Sequence, residues 1–259
     1  MKAAVYPFAS TNRISDNLDK IRAGARLAAR QGVRLLVFHE CALCGYPPLE
    51  TTVDQLDPAA LADALPETAA LAKAESLYLA VGTVRYEAGK RYNSIAVFAP
   101  TGACLGYYDK SALWGWDLET FARGTRPGVF DIEGLRVGFR ICFDVRFPEP
   151  FRALRRQKAQ LCFVCFSDAK PEPAPQRYQI LKSHLVTRAV ENGMPIASVN
   201  TLSACQTAPV AIFDQYGRTL LETQPNEERL LAYDFQPPED TFGSRGIAAN
   251  NQYFLENLG

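Results

Sequence analysis

The chain has 259 residues, 47% of them hydrophobic, with 28 basic and 28 acidic side chains. That is enough apolar material for a full core, and the balanced charge, with no block of one sign, excludes an electrostatic nucleic-acid footprint. Met1 to Pro7 carries no apolar run of signal-peptide length and no stretch reaches the span of a bilayer, which predicts a cytoplasmic protein with no membrane contact.

In chain order, Ala3 to Tyr6 reads as a first strand. From Asn12 to Gln31, Ile14, Leu18, Ile21, Ala25 and Ala28 recur with helical period, and Gly32 provides the stop. Val33 to Phe38 reads as a strand buried on both faces. It delivers Glu40 to a loop, Cys44-Gly45-Tyr46-Pro47-Pro48, where a rigid element can hold a functional group and the loop gives access. Pro58 to Glu75 is helical by composition. Strands follow at Leu77 to Val84 and at Asn93 to Phe98, the latter turning at Pro100-Thr101-Gly102 into Cys104 to Tyr108. This hairpin leads into Asp109-Lys110-Ser111 and then an irregular aromatic loop, Trp114 to Phe121. Its Trp114 and Trp116 suit the lining of a pocket.

Leu135, Val137 and Phe139 alternate with Arg136 and Arg140, so a half-buried strand runs up to Cys142. Pro148-Glu149-Pro150 can then open a helix through Leu154. A cysteine at such a turn sits beside orphan backbone N–H groups, which favour a thiolate and any neighbouring oxyanion. Phe143, Arg146 and, further on, Asp168 are the accompanying candidates for substrate contact. Leu161 to Phe166 is a strand ending at Ser167-Asp168, Gln176 to Asn192 a helix stopped by Gly193, and Pro195 to Val199 a strand. Three more strands are expected at Pro209 to Phe213, Arg218 to Glu222 and Arg229 to Phe235. Residues 237–259 form a weakly periodic tail, expected to pack on a partner subunit. Alternating and hairpin connections together predict one domain over 1–259, a layered α/β sandwich rather than a purely doubly wound sheet.

The seven cysteines are an odd number, which points to reduced thiols rather than a disulfide framework. Cys41/Cys44 and Cys162/Cys165 have the spacing of zinc ligands, but residues three apart on a strand face opposite ways, so the second pair cannot share an ion. No metal or cofactor is expected. His39 and His184 have no dyad motif around them, and the Gly-x-Ser-x-Gly elbow of serine hydrolases is missing.

Three separated segments resemble the nitrilase-like carbon–nitrogen hydrolases. They are Leu36-Val37-Phe38-His39-Glu40 with Gly45-Tyr46-Pro47-Pro48, Tyr92-Asn93-Ser94 with Gly106-Tyr107-Tyr108-Asp109-Lys110, and Ile141-Cys142-Phe143-Asp144-Val145-Arg146-Phe147-Pro148-Glu149. Arg188-Ala189-Val190-Glu191-Asn192 and Asn200 add a fourth match. The resemblance implies a four-layer αββα sandwich that pairs into homodimers or higher homo-oligomers. It also implies a catalytic triad at Glu40, Lys110 and Cys142, with Glu119 as the second glutamate that many members place after the lysine. Departures are His39 where members commonly have proline, Ser167-Asp168-Ala169-Lys170 where many amidases have a tryptophan, and the segment Thr201 to Val210.

These residue types suit the chemistry. A cysteine with a pKa of about 8.5 is mostly thiol at neutral pH, so a carboxylate beside it can take the proton, return it to a departing amine and later activate water. Lys110, with the Phe143 N–H, would hold the oxyanion, and Glu119 would orient Lys110. Asp168 either attracts a cationic substrate end or caps its turn. The expected reaction is thiol-dependent hydrolysis of a non-peptide C–N bond in a small linear amide or N-carbamoyl amine, through a Cys142 thioester. The alternatives are a nitrile hydrolase using the same residues and a non-catalytic member that binds a metabolite.

Overall fold

In the computed structural model, which describes residues 1–236 and 241–257, the strands build two six-stranded sheets. The first has the order β12 (Leu231–Asp234), β1 (Lys2–Val5), β2 (Leu35–Val37), β3 (Tyr78–Glu87), β4 (Lys90–Phe98), β5 (Cys104–Asp109). The second runs β11 (Thr219–Glu222), β10 (Ala211–Phe213), β9 (Ile196–Asn200), β8 (Leu161–Phe166), β7 (Leu135–Ile141), β6 (Val129–Ile132). The central trios β1-β2-β3 and β7-β8-β9 are parallel, and the outer pairings are antiparallel. Each sheet therefore joins a buried parallel centre to hairpin margins.

Period two along the strands sets the layers. In the first sheet Val5, Leu35 and Val37 enter the core between the sheets, while Ala4, Leu36 and Phe38 pack under α1 (Ile14–Arg30) and α2 (Pro58–Ala74). In the second sheet Leu161, Phe163 and Cys165 face the first sheet, while Cys162, Val164 and Phe166 lie under α4 (Pro148–Arg156) and α5 (Pro175–Asn192). The result is the αββα sandwich. Cys162 and Cys165 stand in different layers.

Three elements differ from the sequence reading. A strand, β6, precedes β7 and turns through Glu133-Gly134, both at positive φ. That is hairpin geometry, carried by a glutamate where asparagine or aspartate usually signals it. The aromatic loop contains a short helix, α3 (Gly115–Thr120). Residues Phe242–Asn257 form α6, whose Phe242, Tyr253 and Phe254 are exposed, so no apolar stripe marked it. Residues 237–240 and 258–259 of the expected partner-facing tail lie outside the described residues. No described helix is long and apolar enough to cross a membrane.

His39, between β2 and the loop carrying Glu40, is fully buried with its ring against the edge of Phe8 at 4.5 Å. Neither ring nitrogen has a protein partner, and burial pushes its pKa down to about 3. The unfolded chain therefore binds a proton below about pH 6.5 that the folded chain refuses, so stability falls as pH drops from there towards 3. His39→Leu, similar in bulk and with nothing to hydrogen-bond, is expected to raise the urea midpoint at pH 5 by more than at pH 8. Equal changes at both pH values would contradict this.

Candidate active site

The chemistry-bearing residues lie just past the carboxyl ends of strands, where open α/β sheets place their ligands. Glu40 follows β2, Lys110 follows β5, Cys142 follows β7 and Ser167 follows β8. Glu40 and Lys110 are both buried. The Lys110 Nζ donates to Glu40 Oε1 at 2.8 Å, as does Asn93 Nδ2 at 2.7 Å, and the Ser167 N–H donates to Oε2 at 2.8 Å. Asn93 also accepts the Lys110 N–H through its carbonyl at 2.8 Å, so one residue ties both groups. Close backbone approach makes room for this. A Cβ on Gly82 of β3 would lie 2.0 Å from the His39 carbonyl oxygen and 2.5 Å from the Cys41 nitrogen.

The second carboxylate at Lys110 is Asp117, and this corrects the expectation for Glu119. Asp117 Oδ2 lies 2.7 Å from the Lys110 Nζ, and its Oδ1 accepts from the Tyr46 hydroxyl at 2.9 Å. Positions two apart on a helix face roughly opposite ways, so once α3 turns Asp117 inward Glu119 must point to solvent, where it is exposed. In a loop, as the sequence read, no such choice is forced.

Cys142 opens a 3-10 turn, Cys142–Arg146, with φ +43°, a left-handed conformation costing a non-glycine residue roughly 1–2 kcal/mol. Asp144 holds this turn. Its buried carboxylate accepts from Tyr108 Oη (2.6 Å), Ser111 Oγ (2.8 Å), the Ala112 N–H (2.7 Å) and the Ile141 N–H (2.9 Å). The residues before the cysteine are thereby tied to those after the lysine.

Burial decides the resting charges. It pushes the Cys142 thiol well up, Glu40 adds to the push, and Lys110 only partly opposes it. Cys142 thus rests as a thiol, because desolvation outweighs the Lys110 charge. Burial also lifts Glu40, with Lys110 pulling it back. For Lys110 burial works against the charge, but the Glu40 and Asp117 carboxylates hold it firmly protonated. The arrangement is a thiol, a carboxylate with raised basicity and a fixed ammonium.

Cys142 and Lys110 open onto a cavity of about 230 Å³. Trp114, Trp116, Phe143, Arg146 and Asp168 all line it, as do Tyr46, Ser167 and Arg177, which the sequence did not single out. Asp168 is already neutralised. Arg177 grips it through Nε (3.0 Å) and Nη2 (2.5 Å), and Thr207 Oγ1 donates to it. Its carboxylate therefore neither caps its own turn nor offers free charge to a cationic substrate. The Thr207 bond also shows what the atypical Thr201–Val210 segment does: it buttresses the cavity wall. Arg146 is the opposite case. Its guanidinium lies over the Phe143 ring at 5.7 Å, and no carboxylate pairs with it among the described residues.

A family model described as carbon-nitrogen hydrolase matches residues 2–239. The omega-amidase NIT2 of Mus musculus is 27% identical over 85% of this chain and 82% of its own. A deaminated glutathione amidase of Synechocystis is 29% identical over 73% of each chain. Among solved structures, the NitN amidase of Nesterenkonia sp. AN1 superposes with a TM-score of 0.84 at 25% identity, covering 100% of this chain and 99% of that one. A variant of that amidase carries acrylamide added at its active-site cysteine, and matches with a TM-score of 0.81 at 25% identity, covering 98% of this chain and 99% of that one.

Proposed function

The chain belongs to the carbon–nitrogen hydrolase family, in its amidase-type branch, and from that premise we propose that it hydrolyses a small linear amide bearing a carboxylate at the end remote from the amide. The Cys142 sulfur attacks the amide carbon while its proton passes to Glu40, and the oxyanion forms beside the Lys110 ammonium. Collapse breaks the C–N bond, Glu40 returns the proton to the leaving ammonia, and a thioester is left on Cys142. Water, deprotonated by Glu40, then attacks the thioester, releasing the carboxylic acid and restoring the thiol. Because Cys142 rests protonated, attack and proton transfer to Glu40 are coupled, which makes the base indispensable.

The observation that carries the substrate class is Arg146, which pairs with no carboxylate among the described residues, in a cavity whose one lining carboxylate among them, Asp168, is consumed by Arg177. A half-buried guanidinium over an aromatic ring is suited to a planar carboxylate. The omega-amidase and deaminated glutathione amidase relatives support amide hydrolysis. The seven free thiols are in keeping with a reducing, cytoplasmic setting.

The test is a panel of ω-amides, uncharged aliphatic amides, N-carbamoyl amines and nitriles, scored for ammonia. Carboxylate-bearing amides are expected to lead. Arg146→Gln is expected to raise KM for them by roughly 10- to 100-fold, the worth of one charge-assisted pair, while uncharged amides are unaffected. A wild-type preference for uncharged amides or nitriles would refute the assignment.

A further inference from the structure

Glu50 is a half-buried carboxylate that the chemistry above does not use. It stands behind Ser167, outside the cavity wall, and among the described residues no cation pairs with it. Its Oε2 accepts the Tyr46 N–H at 2.9 Å, and Ser167 Oγ donates to its Oε1 at 3.3 Å. Both partners reach onward to the reacting groups. The Ser167 N–H holds Glu40 Oε2, and the Tyr46 hydroxyl holds Asp117 Oδ1.

We propose that Glu50 is a positioning residue for the reaction: through Ser167 and Tyr46 it orients the two carboxylates, Glu40 and Asp117, that flank Lys110. The inference rests on the reading of Glu40 as the base. The Lys110 Nζ bridges the two carboxylates, at 2.8 Å to Glu40 and 2.7 Å to Asp117, and each carboxylate is held by a residue that Glu50 anchors. Glu50 also acts through its charge. The groups facing it are Glu40 from the end of β2, Tyr46 from its own loop, Ser167 past β8 and Thr201 past β9. Burial lifts Glu50 to about 7, the hydrogen bonds from Tyr46, Thr201 and Ser167 oppose that lift, and Glu40 adds to it. The coupling is mutual, so an ionised Glu50 raises the basicity of Glu40 in turn.

The experiment compares kcat, KM and the pH profile of kcat/KM for wild type, Glu50→Gln, Ser167→Ala and the double variant. Far-UV circular dichroism and thermal melting establish that each is folded. Glu50→Gln keeps an acceptor oxygen and the side-chain size but loses the charge. It is expected to lower kcat about 10-fold with KM within about 2-fold, since a misoriented base costs rate rather than binding. The limb of kcat/KM near pH 7, where Glu50 itself gains its charge, should be displaced in Glu50→Gln, because no charge then appears beside Glu40 in that range. Ser167→Ala should reproduce part of the fall in kcat, and the double variant should be no worse than the poorer single, since both interrupt one link. A Glu50→Gln enzyme with an unmoved limb and an unchanged kcat overturns the proposal. So does a lowered melting temperature accompanied by an unmoved limb, or additive losses in the double variant. Failure of the functional reading itself would look different, as absent ammonia release in the wild type.

Discussion

Cys142→Ala is expected to lower kcat for the preferred amide by about 10,000-fold or more, the scale seen when a covalent nucleophile is removed. The effect is this large because the described residues offer the cavity no substitute. Cys41 and Cys44 are buried elsewhere in the first layer, Ser167 gives its N–H to Glu40 and its hydroxyl to Glu50, and Tyr46 is held by Asp117. Substrate affinity should survive, since Arg146, Trp114, Trp116 and Phe143 are untouched. Stability should change little, because the thiol is only half-buried and Asp144 holds the turn through its neighbours. Intact-mass spectrometry of the wild type during turnover should show an acyl adduct that the variant lacks. Ammonia release within tenfold of wild type in the variant would remove Cys142 from the mechanism.

Lys110→Met strikes rate and fold together. The rate should fall by about 100- to 1,000-fold through loss of the charge at the oxyanion. Stability should fall by roughly 3–5 kcal/mol, because Glu40 and Asp117 are left facing each other in a buried site without their common cation. The two effects separate by pH. Burial already lifts Glu40, and Lys110 is the main opposing influence. Without it the folded chain binds the Glu40 proton more tightly than the unfolded chain does. Stability is then fullest below the ordinary carboxylate value of about 4.3 and is lost as pH rises through the raised folded value. The urea midpoint of the variant should therefore drop between pH 5 and pH 8 relative to wild type. A constant difference from wild type over that range would mean that Glu40 is not held by Lys110 as described.

Much of this molecule was legible in local pattern. Val33 to Phe38 reads as a strand buried on both faces and Leu161 to Phe166 as a strand, and in each the alternate side chains do enter different layers. Glu40, Lys110 and Cys142 each stood where a strand gave out, which is where a sheet presents groups to a ligand. What failed locally had an identifiable cause. α6 carries no apolar stripe, β6 turns on a glutamate, and α3 was hidden in an aromatic run that reads equally well as loop.

The alternation of the residues determined the layers, and the resemblance to the carbon–nitrogen hydrolases pointed to Glu40, Lys110 and Cys142 as side chains that would act together. Only the tertiary structure decided what each of them is when they meet. A one-dimensional reading cannot tell that Asp117 rather than Glu119 turns inward, that Asp168 is spoken for by Arg177 nine residues on, or that Glu50 stands behind Ser167. Nor can it weigh the desolvation of Cys142, which comes from segments brought in from across the chain. Faces and strand ends are properties of neighbours in sequence. Charge state and pairing in a buried site depend on the whole surrounding shell, which exists only once both sheets have closed over it.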